Sequence, residues 1–286
     1  MIFSKNHHGV WECSRVFSGA KIPDAKSSGA GGSDTTPPLQ VFQLAVLRDN
    51  YIYVLHDTCT QITAVVDPAL AEPVQDFLQQ KKWKLNYILN THHHPDHVGG
   101  NLSLQKQWGC PVVGFSGDAH RIPGINQKLD ADTEWSMGRF PCRILFVPGH
   151  TLGHIAYWFF QHHMLFCGDT LFAMGCGRLF EGSYQQMFDS LRQFKGLPGE
   201  TQVYCTHEYT EKNAQFAMQF SLDHPEWKDP EWESLMKQRM EKIGAQRKAQ
   251  TPTVPFLLSE DLKTNPFLRA TTVQEFRQLR IQRDSF

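Results

Sequence analysis

Asn90-Thr91-His92-His93-His94-Pro95-Asp96-His97-Val98-Gly99-Gly100 decides the reading of this chain, because four imidazoles and a carboxylate crowd between an apolar run and a glycine pair. Nitrogen and oxygen donors at that density ask for a metal ion. Upstream, Leu85-Asn86-Tyr87-Ile88-Leu89 reads as a buried strand, and Pro95 argues against a helix through the motif, which places the histidines on a loop at the strand's end. In an extended chain alternate side chains share a face, so His92, His94 and Asp96 point together and His93 points away. His92 and His94 can grip one ion, while Asp96 and His97, where the alternation breaks, can reach a second beside it. Gly99-Gly100 lets the backbone turn tightly next to the site. The plain alternative is a histidine-rich surface loop without metal.

Three later strand ends repeat the pattern. Ile144-Leu145-Phe146-Val147 runs into Pro148-Gly149-His150-Thr151-Leu152-Gly153-His154, so His150 is the natural third ligand beside His92 and His94, with His154 a supporting or packing histidine. Met164-Leu165-Phe166-Cys167 ends in Gly168-Asp169-Thr170, and Asp169 can bridge two cations with its two oxygens; alone it reads as a turn residue. Gln202-Val203-Tyr204-Cys205-Thr206 ends in His207, which supplies the nitrogen missing from the Asp96/His97 set. Asp67-Pro68, after the strand Ile62 to Val66, either starts a turn or hydrogen-bonds the metal loop from behind.

Between these ends the chain alternates strand and helix. Val41 to Leu47, Tyr51 to Leu55 and Ile62 to Asp67 read as strands, Pro73 with Val74, Phe77 and Leu78 as an amphipathic helix, Leu102 to Trp108 as a helix stopped by Gly109, and Pro111 to Phe115 as a strand. Ser183 and Gln186 form a capping box for a helix that turns Met187, Phe188, Leu191 and Phe194 inward. After Tyr209 helical spacing replaces strands, with Trp232, Leu235, Met236, Met240 and Ile243 in one helix and Phe276, Leu279 and Arg280 in another.

Composition limits the function. With 286 residues, 41% hydrophobic and 20% charged, and a net charge of -1, the chain has ample core and no electrostatic case for nucleic acid. No stretch approaches the ~20 apolar residues of a membrane span. Seven cysteines without a C-x-x-C pair point to reduced thiols and an intracellular protein rather than a disulfide framework. Residues 1–38 are compositionally separate, with a linker-like Lys26-Ser27-Ser28-Gly29-Ala30-Gly31-Gly32-Ser33-Asp34, and read as a flexible extension that is either an organellar targeting segment or dispensable.

The Thr-His-x-His-x-Asp-His order, followed by His150, Asp169 and His207, resembles the signature of the metallo-β-lactamase fold. Asp49-Asn50-Tyr51, Thr91 to Gly100, Gly175-Cys176-Gly177-Arg178-Leu179-Phe180-Glu181-Gly182, His207-Glu208-Tyr209-Thr210 and Asn265-Pro266-Phe267-Leu268-Arg269 look more narrowly like glyoxalase II, the hydroxyacylglutathione hydrolases. The resemblance spans nearly everything from Leu39 on. It implies an α/β fold: an αββα sandwich as catalytic domain at 39–208, followed by a smaller all-α substrate-binding domain at 209–286. Carried over residue by residue, glutathione contacts fall on Arg178, Phe180, Tyr209 and Arg269. Two departures stand out: Arg178 and Phe180 replace the lysine and tyrosine of some members, and Ala270-Thr271-Thr272-Val273 lacks the lysine that some members carry after the arginine. Surface charge for both arginines and core packing for Phe180 are the plain readings.

The expected chemistry uses two divalent cations, zinc with iron or manganese as alternatives, held by His92, His94 and His150 and by Asp96, His97 and His207, with Asp169 between them. A hydroxide shared by the ions attacks the thioester of S-D-lactoylglutathione to release D-lactate and glutathione, Asp169 and Asp96 being the catalytic carboxylates. A thiolate of pKa ~8.5 leaves without a strong general acid. The alternatives are a persulfide dioxygenase with one iron, a lactonase or β-lactamase, and a non-enzymatic zinc module, which would favour clustered cysteines. The expected partner is a small-molecule glutathione thioester, for a monomer in the cytoplasm with no nucleic acid or membrane partner.

Overall fold

The structure, a computed structural model, describes residues 2–5, 11–13, 39–227 and 230–286. Two short strands open it: β1 (Ile2–Lys5) pairs antiparallel with β2 (Trp11–Cys13) and parallel with β3 (Gln40–Val46). For these residues this corrects the expectation of an extension outside the fold, because they pair with a sheet edge that would otherwise be open. The rest of the expected extension, 6–10 and 14–38 with its glycine- and serine-rich stretch, lies outside the described residues.

β3, β4 (Asn50–His56) and β5 (Thr63–Val66) follow as antiparallel neighbours. The helix α1 (Ala71–Lys81) carries the chain across to β6 (Tyr87–Leu89), which runs parallel to β5. After α2 (Pro95–Val98) and α3 (Asn101–Trp108), the strands β7 (Val112–Phe115) and β8 (Ile125–Leu129) extend the parallel run, giving an eight-stranded sheet in the order β2-β1-β3-β4-β5-β6-β7-β8. Every position of β4 is buried, because both faces of the sheet are covered. Ile52 and Val54 pack with Val74, Phe77 and Leu78 of α1 and Leu104 of α3, whereas Tyr51, Tyr53 and Leu55 point into the interior shared with a second sheet.

That second sheet begins with β9 (Glu134–Met137), β10 (Phe140–Phe146), β11 (Ile155–Phe159) and β12 (Met164–Gly168). A small hairpin, β13 (Leu171–Phe172) with β14 (Gly175–Cys176), and the helix α4 (Tyr184–Lys195) precede β15 (Gln202–Cys205), which lies parallel to β12. α4 starts where the sequence places it. Ser183 Oγ accepts the Gln186 N–H at 3.2 Å and Gln186 Oε1 accepts the Ser183 N–H at 2.9 Å, which satisfies two otherwise unpaired donors of the first turn. Its buried face, Met187, Phe188, Leu191 and Phe194, joins the core of the second sheet and completes an αββα sandwich.

The chain then turns helical, through α5 (Thr210–Asp223) and α6 (Pro230–Lys248), then β16 (Phe256–Leu257), α7 (Leu258–Thr264), α8 (Pro266–Arg269) and α9 (Val273–Ser285). The two residues of β16 pair antiparallel with β15, so the helical part contributes the edge of the second sheet, ordered β16-β15-β12-β11-β10-β9. Met174, Ala214, Ala217, Trp232, Met236 and Ile243 form a separate small core between α5, α6 and the β13–β14 turn. Phe276 of α9 reaches Phe188 of α4 with ring centres 6.1 Å apart. Asn265 explains why Asn-Pro-Phe stands as a unit: its Oδ1 accepts the Phe267 N–H at 3.0 Å to cap α8, and its Nδ2 donates to the Gly175 carbonyl at 3.0 Å, pinning the β13–β14 hairpin.

Loss of the α4 cap tests the local argument. Ser183→Ala is expected to lower the free energy of unfolding by about 1 kcal/mol, read as a shifted urea midpoint with an unchanged slope.

Candidate metal centre

The loops after β5, β6, β10, β12 and β15 deliver their polar residues to one place. His92, His94 and His150 bring one donor atom each to within 4.8 Å of one another, as do Asp96, His97 and His207, and also Asp67, His92 and His97. Asp169 lies between the first two groups, with Oδ2 3.4 Å from His150 Nε2 and 3.3 Å from His207 Nε2, and Oδ1 3.6 Å from His97 Nε2.

The path of the loop differs from the extended one expected. Pro95 does not break a helix; it starts one, since α2 has proline at its first position, where its fixed φ suits the helix and its missing N–H is not needed. The helical turn rotates Asp96 away from His94 and stacks it with His97, so that both face His207: Asp96 Oδ2 is 3.6 Å from His97 Nε2 and 3.5 Å from His207 Nε2. Strand-like alternation therefore holds through His94 and fails at Pro95, which places Asp96 in the second group. Glycine is required at one approach: Gly168, at φ 50°, precedes Asp169, and a side chain there would overlap the Thr91 hydroxyl.

Five of the donors, Asp96, His97, His150, Asp169 and His207, are held by a further group. His97 Nδ1 is 3.1 Å from Asp67 Oδ2, and Asp67 also accepts the Thr91 N–H at 2.8 Å and hydroxyl at 2.6 Å. Of the two roles left open for Asp67, the structure shows the supporting one. His150 Nδ1 donates to the Arg178 carbonyl at 2.7 Å, His207 Nδ1 lies 3.1 Å from Asp49 Oδ1, and Asn50 Nδ2 donates to Asp96 Oδ2 at 2.9 Å. His154 Nε2 accepts the Asp169 N–H at 3.1 Å while its ring stacks 4.6 Å from His92. Asp49, Asn50 and Thr206, whose hydroxyl donates to Asp169 Oδ1, have supporting roles that sequence reasoning missed. Asp49-Asn50-Tyr51 stood out only as part of the family resemblance, and for Thr206 the signal was a polar residue next to a strand end, where many such residues merely face water.

Electrostatics divide the donors. Burial pushes the His92 imidazole well below its ordinary value, brings His94 down to about 4 and lowers His150, so these rings are neutral, as ligation requires. His97 would be lowered by its burial, but Asp169 and Asp67 hold it well above the ordinary value; against burial, His207 and His97 hold the Asp169 carboxyl well below its usual range. The buried Nε2 atoms of His92 and His97 have no hydrogen-bond partner, a cost of about 1–3 kcal/mol for each such group that a cation in the cluster removes. Imidazole and carboxylate donors, with orphaned nitrogens aimed inward, fit a divalent metal.

Three of the four residues matched to glutathione contacts lie against this centre. The Phe180 ring, 62% exposed, stands edge-on to His94 and His150 at 5.4 and 5.2 Å. Tyr209 stacks on His207 at 4.8 Å with an interplanar angle of 5°. Arg178 orients His150 through its carbonyl, while its exposed guanidinium pairs with Asp284 at 3.2 Å. Arg269, on α8, sits with its guanidinium 5.4 Å from the ring centre of Trp232. Next to His207, Glu208 accepts from the Tyr51 hydroxyl at 2.7 Å and the Thr253 N–H at 2.9 Å, and pairs with Arg247 at 3.3 Å, which ties the donor loop to the helical part.

Fold and donor set together define the class, an αββα sandwich with a divalent-metal centre at its strand ends, and the model described as the metallo-beta-lactamase superfamily matches residues 49–207. The model for the hydroxyacylglutathione hydrolase C-terminus matches residues 208–286. The chain is 51% identical over 231 residues to a hydroxyacylglutathione hydrolase from Methylococcus capsulatus, covering 81% of this chain and 87% of that one. A second hydroxyacylglutathione hydrolase, from Rhodospirillum rubrum, is 45% identical over 262 residues, covering 87% and 99%. Among solved structures, ETHE1 from Myxococcus xanthus matches with a TM-score of 0.63 at 25% identity, over 85% of this chain and 90% of that chain. This chain belongs to the hydroxyacylglutathione hydrolase family.

The supporting groups make a prediction about affinity. Asp49→Ala should weaken divalent-metal binding by about ten- to a hundred-fold, as measured by chelator competition.

Proposed function

We propose that this protein hydrolyses S-(2-hydroxyacyl)glutathione thioesters, S-D-lactoylglutathione foremost, to the 2-hydroxy acid and glutathione. The observation that carries the reading is that the Arg178 to Gly182 segment, matched to glutathione contacts, lies against the metal centre: the Arg178 carbonyl accepts from His150 Nδ1 and the Phe180 ring stands beside His94 and His150. Relatives named for this activity and the matching C-terminal model support it, and neither favours a dioxygenase or lactonase.

His92, His94 and His150 would hold one divalent ion and Asp96, His97 and His207 a second, zinc being the metal proposed, with Asp169 placed between the two groups. Cations held there supply Lewis acidity, lowering the pKa of water toward neutrality and polarising a carbonyl oxygen. The chain's own groups supply orientation. Asp67 and Asp49 keep His97 and His207 in the tautomer that leaves Nε2 free, Asn50 keeps Asp96 turned inward, and Thr206 and His154 hold Asp169 from its carboxylate and backbone sides. Water adds to the thioester carbonyl carbon, the carbon–sulfur bond breaks, and the proton released balances the departing thiolate; with a pKa of ~8.5 that thiolate needs no strong acid. Phe180 and Tyr209 offer their rings to the glutathione moiety, and Arg178 and Arg269 bind its polar and anionic groups.

In this reading the chain divides at about Tyr209 into a catalytic and a substrate-binding domain and acts as a monomer. Cys59, Cys110, Cys142, Cys167, Cys176 and Cys205 are free thiols, which supports a reducing, cytoplasmic setting. No helix of the described residues is long and apolar enough to cross a membrane.

A panel of S-lactoylglutathione, nitrocefin, an acyl-homoserine lactone and glutathione persulfide, with elemental analysis of the same preparation, tests the proposal. Turnover of the first alone with two ions per chain is expected; a single ion at full activity would sink the two-ion arrangement. Asp169→Ala should remove most activity. Arg269→Ala should raise KM with kcat little changed, so that kcat/KM falls roughly ten- to a hundred-fold, as expected when a charge-assisted hydrogen bond is removed equally from ground and transition states.

A further inference from the structure

His93 is the one imidazole of the Thr91 to Gly100 motif absent from the three donor groups, and its contacts lead away from the metal centre. Its Nδ1 lies 3.0 Å from Oδ2 of the buried Asp118. Arg121, three residues on, donates through Nε to the other Asp118 oxygen and through both terminal nitrogens to the Glu181 carboxylate, with Nη2 to Oε2 at 3.1 Å. Glu181 Oε2 also accepts the Leu152 N–H at 2.7 Å, and its Oε1 is 3.7 Å from His93 Nε2. One carboxylate thus joins three loops: the metal motif, the turn after β7, and the loop that carries His150.

Glu181 follows Phe180 in the Arg178 to Gly182 segment, which has neither helix nor strand of its own. Two backbone bonds lay that segment along the His150 loop, Phe180 N–H to the His150 carbonyl at 3.1 Å and Gly182 N–H to the Gly149 carbonyl at 3.0 Å. Exposed loop bonds of this kind open readily unless a side chain anchors them. A carboxylate that takes two parallel N–H bonds from one guanidinium is the strong, directional form of ion pair, and Arg121 holds the Glu181 carboxyl down at about 2, so the pair stays charged throughout the neutral range. An isolated surface pair would contribute little, but Asp118 fixes the guanidinium from behind and the Leu152 amide fixes the carboxylate.

We infer that Glu181 and Arg121 are positioning residues: a clamp that holds the Arg178 to Gly182 segment over the metal centre, so that the Arg178 guanidinium and the Phe180 ring are set for the peptide half of the substrate. The inference rests on the thioester-hydrolase reading and concerns substrate recognition; neither residue touches the reacting bond.

The test compares Arg121→Ala, Glu181→Ala, the milder Glu181→Gln and the Arg121→Ala/Glu181→Ala double variant, each with its full metal content verified. With S-lactoylglutathione, KM is expected to rise about ten-fold in either alanine variant and no further in the double variant, because removing one partner already releases the segment. Glu181→Gln should rise about three-fold, and kcat should stay within two-fold throughout. Calorimetry with glutathione itself should show Kd weakened in parallel. With S-lactoyl-N-acetylcysteamine, a thioester without the tripeptide, kcat/KM should change less than two-fold. Unchanged KM and Kd, or an equal loss with both thioesters, overturns the clamp whatever happens to Tm. Wild-type turnover of S-lactoylglutathione in the same series tests the hydrolase reading separately, and glutathione binding still decides the clamp if that turnover fails.

Discussion

Everything in this molecule is arranged around a local excess of buried donor atoms. Imidazole nitrogens and carboxylate oxygens from five loops lie close together where little water reaches them, and two of the nitrogens have no partner in the protein. Such a cluster is costly for a fold to carry, since unpaired buried polar groups forfeit their hydration and Asp96 and Asp169 repel each other. Divalent cations reverse the sign of those interactions. The two-sheet sandwich around it is the rigid frame that keeps strand ends from different parts of the chain within ångströms of each other.

Orientation follows from the same constraint. A histidine bound by one ring nitrogen is aimed by what the other nitrogen meets, and here the partners differ: Asp67 for His97, Asp49 for His207, and the Arg178 carbonyl for His150. The last is unlike the others because it belongs to the segment matched to substrate contacts. Movement of that segment on ligand binding therefore cannot be independent of a metal-facing imidazole. Glu208 plays a comparable part from the other side, joining the loop of His207 to Tyr51 in the first sheet and to Thr253 and Arg247 in the helical part. The helical part also lends β16 to the second sheet, so the two portions of the chain share main-chain hydrogen bonds as well as side-chain contacts.

Much of this was legible in the residues. A strand, a turn and then a histidine or aspartate recur at Leu89, Val147, Cys167 and Cys205, and buried strands announce themselves by apolar runs whose period needs no tertiary information. The grouping of His92 with His94 and His150, and of His97 with His207, follows from their places at strand ends together with the need of a metal site for several nitrogen or carboxylate donors. The Ser183 cap and the Gly109 stop are local in the same sense. The sequence by itself therefore determined the fold class, the kind of chemistry and the residues that the fold brings together in two of the three candidate donor groups.

Tertiary structure decided what depends on distance between segments far apart in the chain. Pro95 is compatible with ending or with starting a helix, and only the packed loop selects the start that turns Asp96 toward His207. The edge pairing of β1 on β3 joins residues separated by a long, linker-like stretch, which no periodicity reveals. Asp49 and Glu181 in loops, and Asn50 at the start of β4, acquire their roles only when the fold sets them beside His207, Arg121 and Asp96. A hydrogen bond needs a partner within about 3 Å, and for side chains from different loops the sequence records the donors and acceptors while the folded chain alone chooses the pairs.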